Sequence, residues 1–202
     1  MESAEYATKE LFDPAASVMT SFPHHPEYEG KTVTEIGTMH HENPAQALIR
    51  IIKESAEDGA AIAGASMSND DVINFLKWNY TNVCSDGANG GHPRGYGTFT
   101  RVLGKYVREK KIMPLETAIY KMTGLTAEHL GIHDRGLIAP GNFADLVLFD
   151  PATVNDNSTF TNSTALSSGI QMVWVNGKLV YQNGKSTHQH SGKFVSKENG
   201  PM

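Results

Sequence analysis

The 202-residue chain contains one cysteine, Cys84, which excludes an intramolecular disulfide framework and a Cys-cluster zinc site. It also lacks a basic excess: 17 Lys+Arg stand against 22 Asp+Glu, a net charge of −5 with neutral His. Proteins that bind nucleic acid by neutralising phosphates show the opposite balance or a basic stripe. The densest basic run, Arg108 to Lys111, is broken by Glu109, so no nucleic-acid partner is expected. No apolar run approaches the ~20 residues needed to span a bilayer, so no membrane partner is expected either. The first ten residues, MESAEYATKE, have neither a basic n-region nor an apolar h-region. These absences together read as a soluble, cytoplasmic protein. Under that reading the two glycosylation-like runs at Asn157 and Asn162 are chance. What is present is globular: 39% hydrophobic and 19% charged residues place the chain outside the disordered and fibrous classes.

Three zones follow one another. In the first, Ser17 to Phe22 and Ala60 to Ser66 read as short strands. The run from Pro44 to Glu54 reads as a helix, with Pro near its start and Leu48, Ile51 and Ile52 on one face. Ser68 is the expected N-cap of a second helix, with Asp70 and Asp71 in its dipole-favoured first turn. Thr81 to Ser85 is again strand-like. Strand alternating with helix implies a parallel sheet. The second zone opens at Asp86 with five glycines in a dozen residues, a long loop of the kind that carries function at strand ends. Helices are expected at Phe99–Glu109, at Leu115–Met122 and from Thr126. The third zone turns to β structure: a strand over Ala144–Asp150, then a hairpin about Asn176-Gly177, with a second turn at Asn183-Gly184. The domain division falls near residue 131.

The chemistry concentrates in Cys84-Ser-Asp-Gly-Ala-Asn-Gly-Gly-His-Pro-Arg-Gly-Tyr-Gly-Thr-Phe. An Asp closing a parallel strand beside a glycine-rich loop sits where α/β barrels place reacting groups, and can bind a metal or shuttle a proton. Asp-Gly is equally a common turn. The planar fork of Arg94 suits a substrate carboxylate; the plainer reading is a surface arginine that stabilises the loop.

Ser85-Asp-Gly, His92-Pro-Arg and Gly97-Thr-Phe-Thr-Arg-Val-Leu-Gly104 together resemble the end of the barrel in N-acyl-D-amino-acid deacylases (D-aminoacylases) of the amidohydrolase superfamily. Gly136-Leu-Ile-Ala-Pro-Gly-Asn-Phe-Ala-Asp-Leu-Val-Leu-Phe-Asp150 and Ile170 to Gly177 resemble the return of such a chain into its small β-sandwich. Pro26 to Ile36 and the Ser66-Met-Ser68 run fit the same family. The resemblance implies an α/β fold: residues 1–130 as the C-terminal strands and helices of a TIM-type (β/α)8 barrel, and residues 131–202 as part of a β-sandwich with a polar tail. It implies amide hydrolysis of an N-acyl amino acid by zinc-bound hydroxide. Asp86 matches a catalytic, metal-binding carboxylate, Arg94 the residue that holds the substrate carboxylate, and Met67 an apolar residue lining the side-chain pocket, where a thioether adapts to varied shapes. The resemblance assigns no role to His92, which reads as a hydrogen-bonder within the loop.

The family's first-strand His-x-His, its metal-binding Cys and its mid-barrel histidines have no counterpart here. Since a whole barrel takes about 250 residues, the chain is read as a truncated C-terminal fragment, inactive by itself and lacking most zinc ligands. His188-Gln-His190 reads as a solvated tail. The pairs His24-His25 and His40-His41 face opposite ways on extended chain and do not share a metal. Cys84 reads as a small buried core residue at the strand end, and Asp150 and Trp174 as turn and packing residues. Two alternatives remain open: a non-catalytic remnant or half-barrel that self-associates or pairs with a missing N-terminal half, and a dihydroorotase- or hydantoinase-like amidohydrolase.

Overall fold

The computed structural model describes residues 2–6, 8, 13–55, 59–64, 67–87 and 92–195. The chain is mixed α/β and falls into two compact units. One comprises Met1–Val72, Asp86–Tyr96 and Ser158–Ala165; the other Ile73–Ser85, Gly97–Asn157 and Leu166–Met202.

In the first unit, helix α1 (Glu2–Tyr6) precedes strand β1 (Val18–Ser21), a 3-10 turn (Pro26–Tyr28), α2 (Val33–Met39), α3 (Pro44–Glu54) and β2 (Ala61–Ala63). Both longer helices open on reciprocal capping boxes. Thr32 caps α2 with Glu35, and Asn43 caps α3 with Gln46, one residue before Pro44. The corner between them is tight: a Cβ on Gly37 would meet the Glu42 carbonyl oxygen at 2.8 Å. The core holds Met19, Phe22, Tyr28, Val33, Ile36, Ala47 and Ile51. On α3 the buried line therefore runs through Ala47 and Ile51, whereas Ile52, expected on the same face, is 59% exposed. One residue of helix turns a side chain by about 100°, which carries position 52 off the buried stripe.

The expected parallel sheet is not what these residues form. β1 and β2 pair antiparallel, Val18 opposite Ala63 and Met19 opposite Ile62. A single-helix crossover returns a chain parallel; here two helices joined by a short corner intervene. Thr81 to Ser85, also expected as a strand, carries no regular secondary structure, and Cys84 within it, expected to be buried, is exposed. Strand-like composition makes a strand only where a neighbouring ladder takes up its N–H and C=O groups. Ala60 to Ser66 forms its strand over Ala61–Ala63 only, and Ala65 and Ser66 lie outside the described residues.

α4 (Asn69–Lys77) starts as the sequence suggests: the Ser68 hydroxyl accepts from the Asp71 N–H at 3.1 Å and donates to its carboxylate at 2.8 Å. After α5 (Arg94–Arg101) the helix continues as a π-helix over Val102–Glu109, a widened ladder that the apolar spacing does not reveal. In the second unit, Gly97, Arg101, Gly104 and Arg108 all meet the segment 151–156. Arg101 donates to the buried Asp156 carboxylate through Nε at 2.7 Å and ion-pairs with it through Nη2 at 2.6 Å. Arg108 donates to the Val154 carbonyl. A Cβ on Gly97 would stand 2.0 Å from Asp156 Oδ1, and one on Gly104 would stand 2.9 Å from the Val154 oxygen.

α6 (Leu115–Met122) and α7 (Gly124–Leu130) follow. Lys121 on α6 is buried and donates its Nζ to the Trp78 carbonyl; burial pushes its ammonium pKa down. The last strands, β3 (Leu146–Phe149), β4 (Ile170–Val175), β5 (Lys178–Gln182) and β6 (Lys185–Ser186), form one antiparallel sheet in that order. Both turns are those expected. Asn176 and Gly177 have φ of 49° and 77°, and Asn183 and Gly184 of 47° and 86°, the left-handed values of tight hairpin loops. Arg135 fastens the first turn: it bonds Asp145 and, at 2.7 Å, Asn176 Oδ1, and lies 4.3 Å over the Phe143 ring.

Candidate functional site

Asp86 stands at the end of the irregular segment 81–87 with φ +43°, a left-handed conformation that Asp tolerates better than most residues. Its side chain is 73% exposed, so the carboxylate is not sealed into packing. The loop closes on the first turn of α5: a Cβ on Gly95 would stand 3.5 Å from the Gly87 Cα. Residues 88–91, the centre of the loop, lie outside the described residues.

Arg94, the first residue of α5, grips Asp86 twice. Nη2 is 2.9 Å from Asp86 Oδ2, and Nε donates to the Asp86 carbonyl at 2.9 Å. Two residues singled out from sequence are thus neighbours. Met67, 60% exposed on the approach to α4, is not part of this ion pair.

Support for the loop comes from an unsuspected quarter. His92 Nδ1 accepts the Arg94 N–H at 3.1 Å, and its ring meets Phe160 edge-on at 5.4 Å between centroids. Ser158, 4% exposed, donates to the Pro93 carbonyl at 3.1 Å. Nothing local in the sequence links residues 158–160 to residue 92; the contact spans some sixty positions.

The histidine pairs lie in turns rather than on extended chain, and His25 and His40 are the partly buried members. His25 stacks on Tyr28 at 4.9 Å and bonds Glu27 at 2.9 Å, while His40 Nε2 lies 2.7 Å from the Tyr28 hydroxyl. Tyr28 also donates to Glu54 at 3.4 Å, and Arg50 joins Glu54 to Glu42. Burial, then the Glu54 charge, pushes the Tyr28 phenol up. The Arg50 guanidinium holds Glu42 below the usual carboxylate range. This network ties the 3-10 turn, α2 and α3 together.

Among the described residues no group of three or more His, Cys, Asp or Glu side chains can hold a metal ion. A catalytic zinc takes three protein ligands, and Asp86 offers one carboxylate already facing a guanidinium. These residues do not fit a zinc centre by themselves. Among the same residues no helix is long and apolar enough to cross a membrane.

Residues 81–181 match the model of the amidohydrolase family. A D-aminoacylase of Alcaligenes xylosoxydans xylosoxydans is 40% identical over 175 residues, 85% of this chain and 35% of that protein. A crystal structure of D-aminoacylase superposes with a TM-score of 0.78 at 38% identity, covering 87% of this chain and 36% of that one. The N-acyl-D-glutamate deacylase of Bordetella bronchiseptica, solved with zinc and a phosphonate mimic of the tetrahedral intermediate, gives 0.77 at 36% identity over 90% of this chain and 37% of that one. The chain spans about a third of the length of these relatives.

Proposed function

The chain belongs to the amidohydrolase family, and we propose that it is the C-terminal part of a metal-dependent hydrolase that deacylates N-acyl-D-amino acids. The observation that carries this reading is the juxtaposition of Asp86 and Arg94 at 2.9 Å, within a stretch that matches D-aminoacylase along 85% of the chain. In this reading residues 1–130 furnish the last strands and helices of a (β/α)8 barrel, and 131–202 a portion of a β-sandwich.

Arg94 binds the free carboxylate of the substrate with its planar fork. Asp86 takes a proton from the attacking water and delivers it to the departing nitrogen, a general-base then general-acid role. Met67 contacts the substrate side chain. Zinc, when bound in such enzymes, supplies Lewis-acid activation of water and carbonyl. Since the described residues do not fit the metal, its ligands have to come from sequence outside them. Alone, the 202 residues are expected to be inert. Exposed side chains such as Phe75, Trp78 and Tyr80 fit self-association or pairing with a missing N-terminal half.

The test is complementation. The 202-residue chain with zinc is expected to leave N-acetyl-D-methionine intact. Joined to the N-terminal two-thirds of a D-aminoacylase, it is expected to hydrolyse that substrate and spare the L-enantiomer and dihydroorotate. Turnover by the chain alone would overturn the reading of inactivity. A hybrid that opens dihydroorotate instead would overturn the deacylase reading.

A further inference from the structure

The turns Asn176-Gly177 and Asn183-Gly184 share a dipeptide and a backbone. Asn176 and Asn183 have φ of 49° and 47°, their glycines 77° and 86°, and a Cβ on either glycine would meet nothing within 4 Å. An asparagine followed by glycine is chemically labile, because no Cβ shields the glycine nitrogen from the neighbouring side-chain amide. The two turns differ in what holds that amide. We propose that Asn183 is a site of spontaneous deamidation in the folded chain, whereas Asn176 is shielded from the same reaction.

The reaction is an intramolecular displacement followed by hydrolysis. The Gly184 nitrogen attacks Cγ of Asn183, and a C–N bond forms. The glycine N–H proton passes to the departing amide group, which leaves as ammonia, and a succinimide ring remains. Water then opens the ring. Attack at the former side-chain carbonyl gives aspartate, and attack at the backbone carbonyl gives isoaspartate. The net exchange is amide plus water for carboxylic acid plus ammonia, and no other reactant is needed.

At Asn176 the participants are tied down. Oδ1 accepts from Arg135 Nη2 at 2.7 Å and Nδ2 donates to the Ser191 carbonyl at 2.7 Å, so Cγ is fixed from both sides. The nucleophile is engaged as well: the Gly177 N–H donates to the Ala144 carbonyl at 2.9 Å. The Asn176 N–H donates to Asp145 Oδ1 at 2.7 Å, which steadies the turn itself. Asn183, in contrast, is exposed. Its backbone N–H donates to the Gln171 carbonyl at 2.8 Å. Among the described residues, neither its side-chain amide nor the Gly184 N–H has a hydrogen-bond partner. Isoaspartate at 183 would add a methylene to the main chain between Gln182 and Lys185, which pair across β5 and β6, and so loosen that last ladder.

The test is a time course of the 202-residue chain at mildly alkaline pH and constant temperature. Trypsin cuts after Lys178 and Lys185, so the two asparagines fall on separate peptides, and mass spectrometry reads the acid formed in each. Synthetic peptides covering 174–179 and 181–186 give the rate of each motif without the fold. The slowing in the folded chain relative to the peptide is expected to be about tenfold or more greater at Asn176 than at Asn183, the range set by two or more hydrogen bonds that must break first. Equal slowing, or stronger slowing at Asn183, overturns the proposal. Arg135→Gln, with its fold checked by melting temperature, is expected to speed the reaction at Asn176 and leave that at Asn183 unchanged. An unchanged or slower reaction at Asn176 in that variant overturns the shielding by Arg135. The wild-type comparison decides the proposal by itself should the variant lose its fold.

Discussion

Asp86 and Glu42 are both carboxylates beside an arginine, yet their settings differ. Asp86 faces Arg94 in the open. Glu42 receives two bonds from Arg50, at 2.9 and 2.6 Å, in a network that also takes in Glu54, Tyr28 and His40. Those bonds hold Glu42 below the usual carboxylate range in the folded chain. The unfolded chain therefore binds the proton more readily, and the stabilising contribution is present above the ordinary carboxylate pKa near 4.3 and lost as pH falls through the folded value. Denaturant midpoints measured from neutral pH into acid are expected to fall, and Arg50→Gln is expected to flatten that slope. An identical slope in the variant would show that the pairing does not shift Glu42. Glu54 stands at the i,i+4 spacing from Arg50 on the expected helix, whereas Glu42 was not legible as a partner, because it meets Arg50 only once two helix caps and a tight corner have set the angle of α3. Asp86 and Arg94 were singled out because both lie in one glycine-punctuated loop that resembles the deacylases; what the structure adds is their contact.

At the scale of elements, the run from Gly97 to Gly104 takes on a packing role in addition to its resemblance to deacylases. The residues at 97, 101, 104 and 108 lie on one side of α5 and the π-helix and receive the 151–156 segment. Gly97→Ala would drive a Cβ into the buried Asp156 carboxylate, which Arg101 holds in place, and is expected to cost about 1–3 kcal/mol by overpacking. Gly177→Ala meets nothing within 4 Å and carries only the strain of its left-handed φ, about 1 kcal/mol. Thermal denaturation of the two variants side by side checks the ranking; a Gly97→Ala protein as stable as wild type would contradict it. The hairpins, the start of α3 and the cap of α4 were readable because Asn-Gly turns, a proline in the first helical turn and a Ser cap act within four residues. The parallel sheet and the Thr81–Ser85 strand were misread for the opposite reason. Strand pairing is settled by what lies alongside, and among the described residues nothing ladders with that segment. The Ile52 face was misjudged by one helical position.

At the scale of the whole molecule, the chain matches about a third of its relatives' length, and the described residues bring no metal-binding cluster together. In the proposed function Asp86 would carry the proton and Arg94 the substrate carboxylate, with the metal ligands in sequence outside the described residues. The most direct test is the kcat of a hybrid in which this chain completes a D-aminoacylase, measured on N-acetyl-D-methionine with and without Asp86→Asn. The expected result is a fall of about 10²- to 10⁴-fold, the range that loss of a positioned acid–base group commands. A variant that turns over as fast as its parent would contradict the assignment of Asp86 to the chemistry.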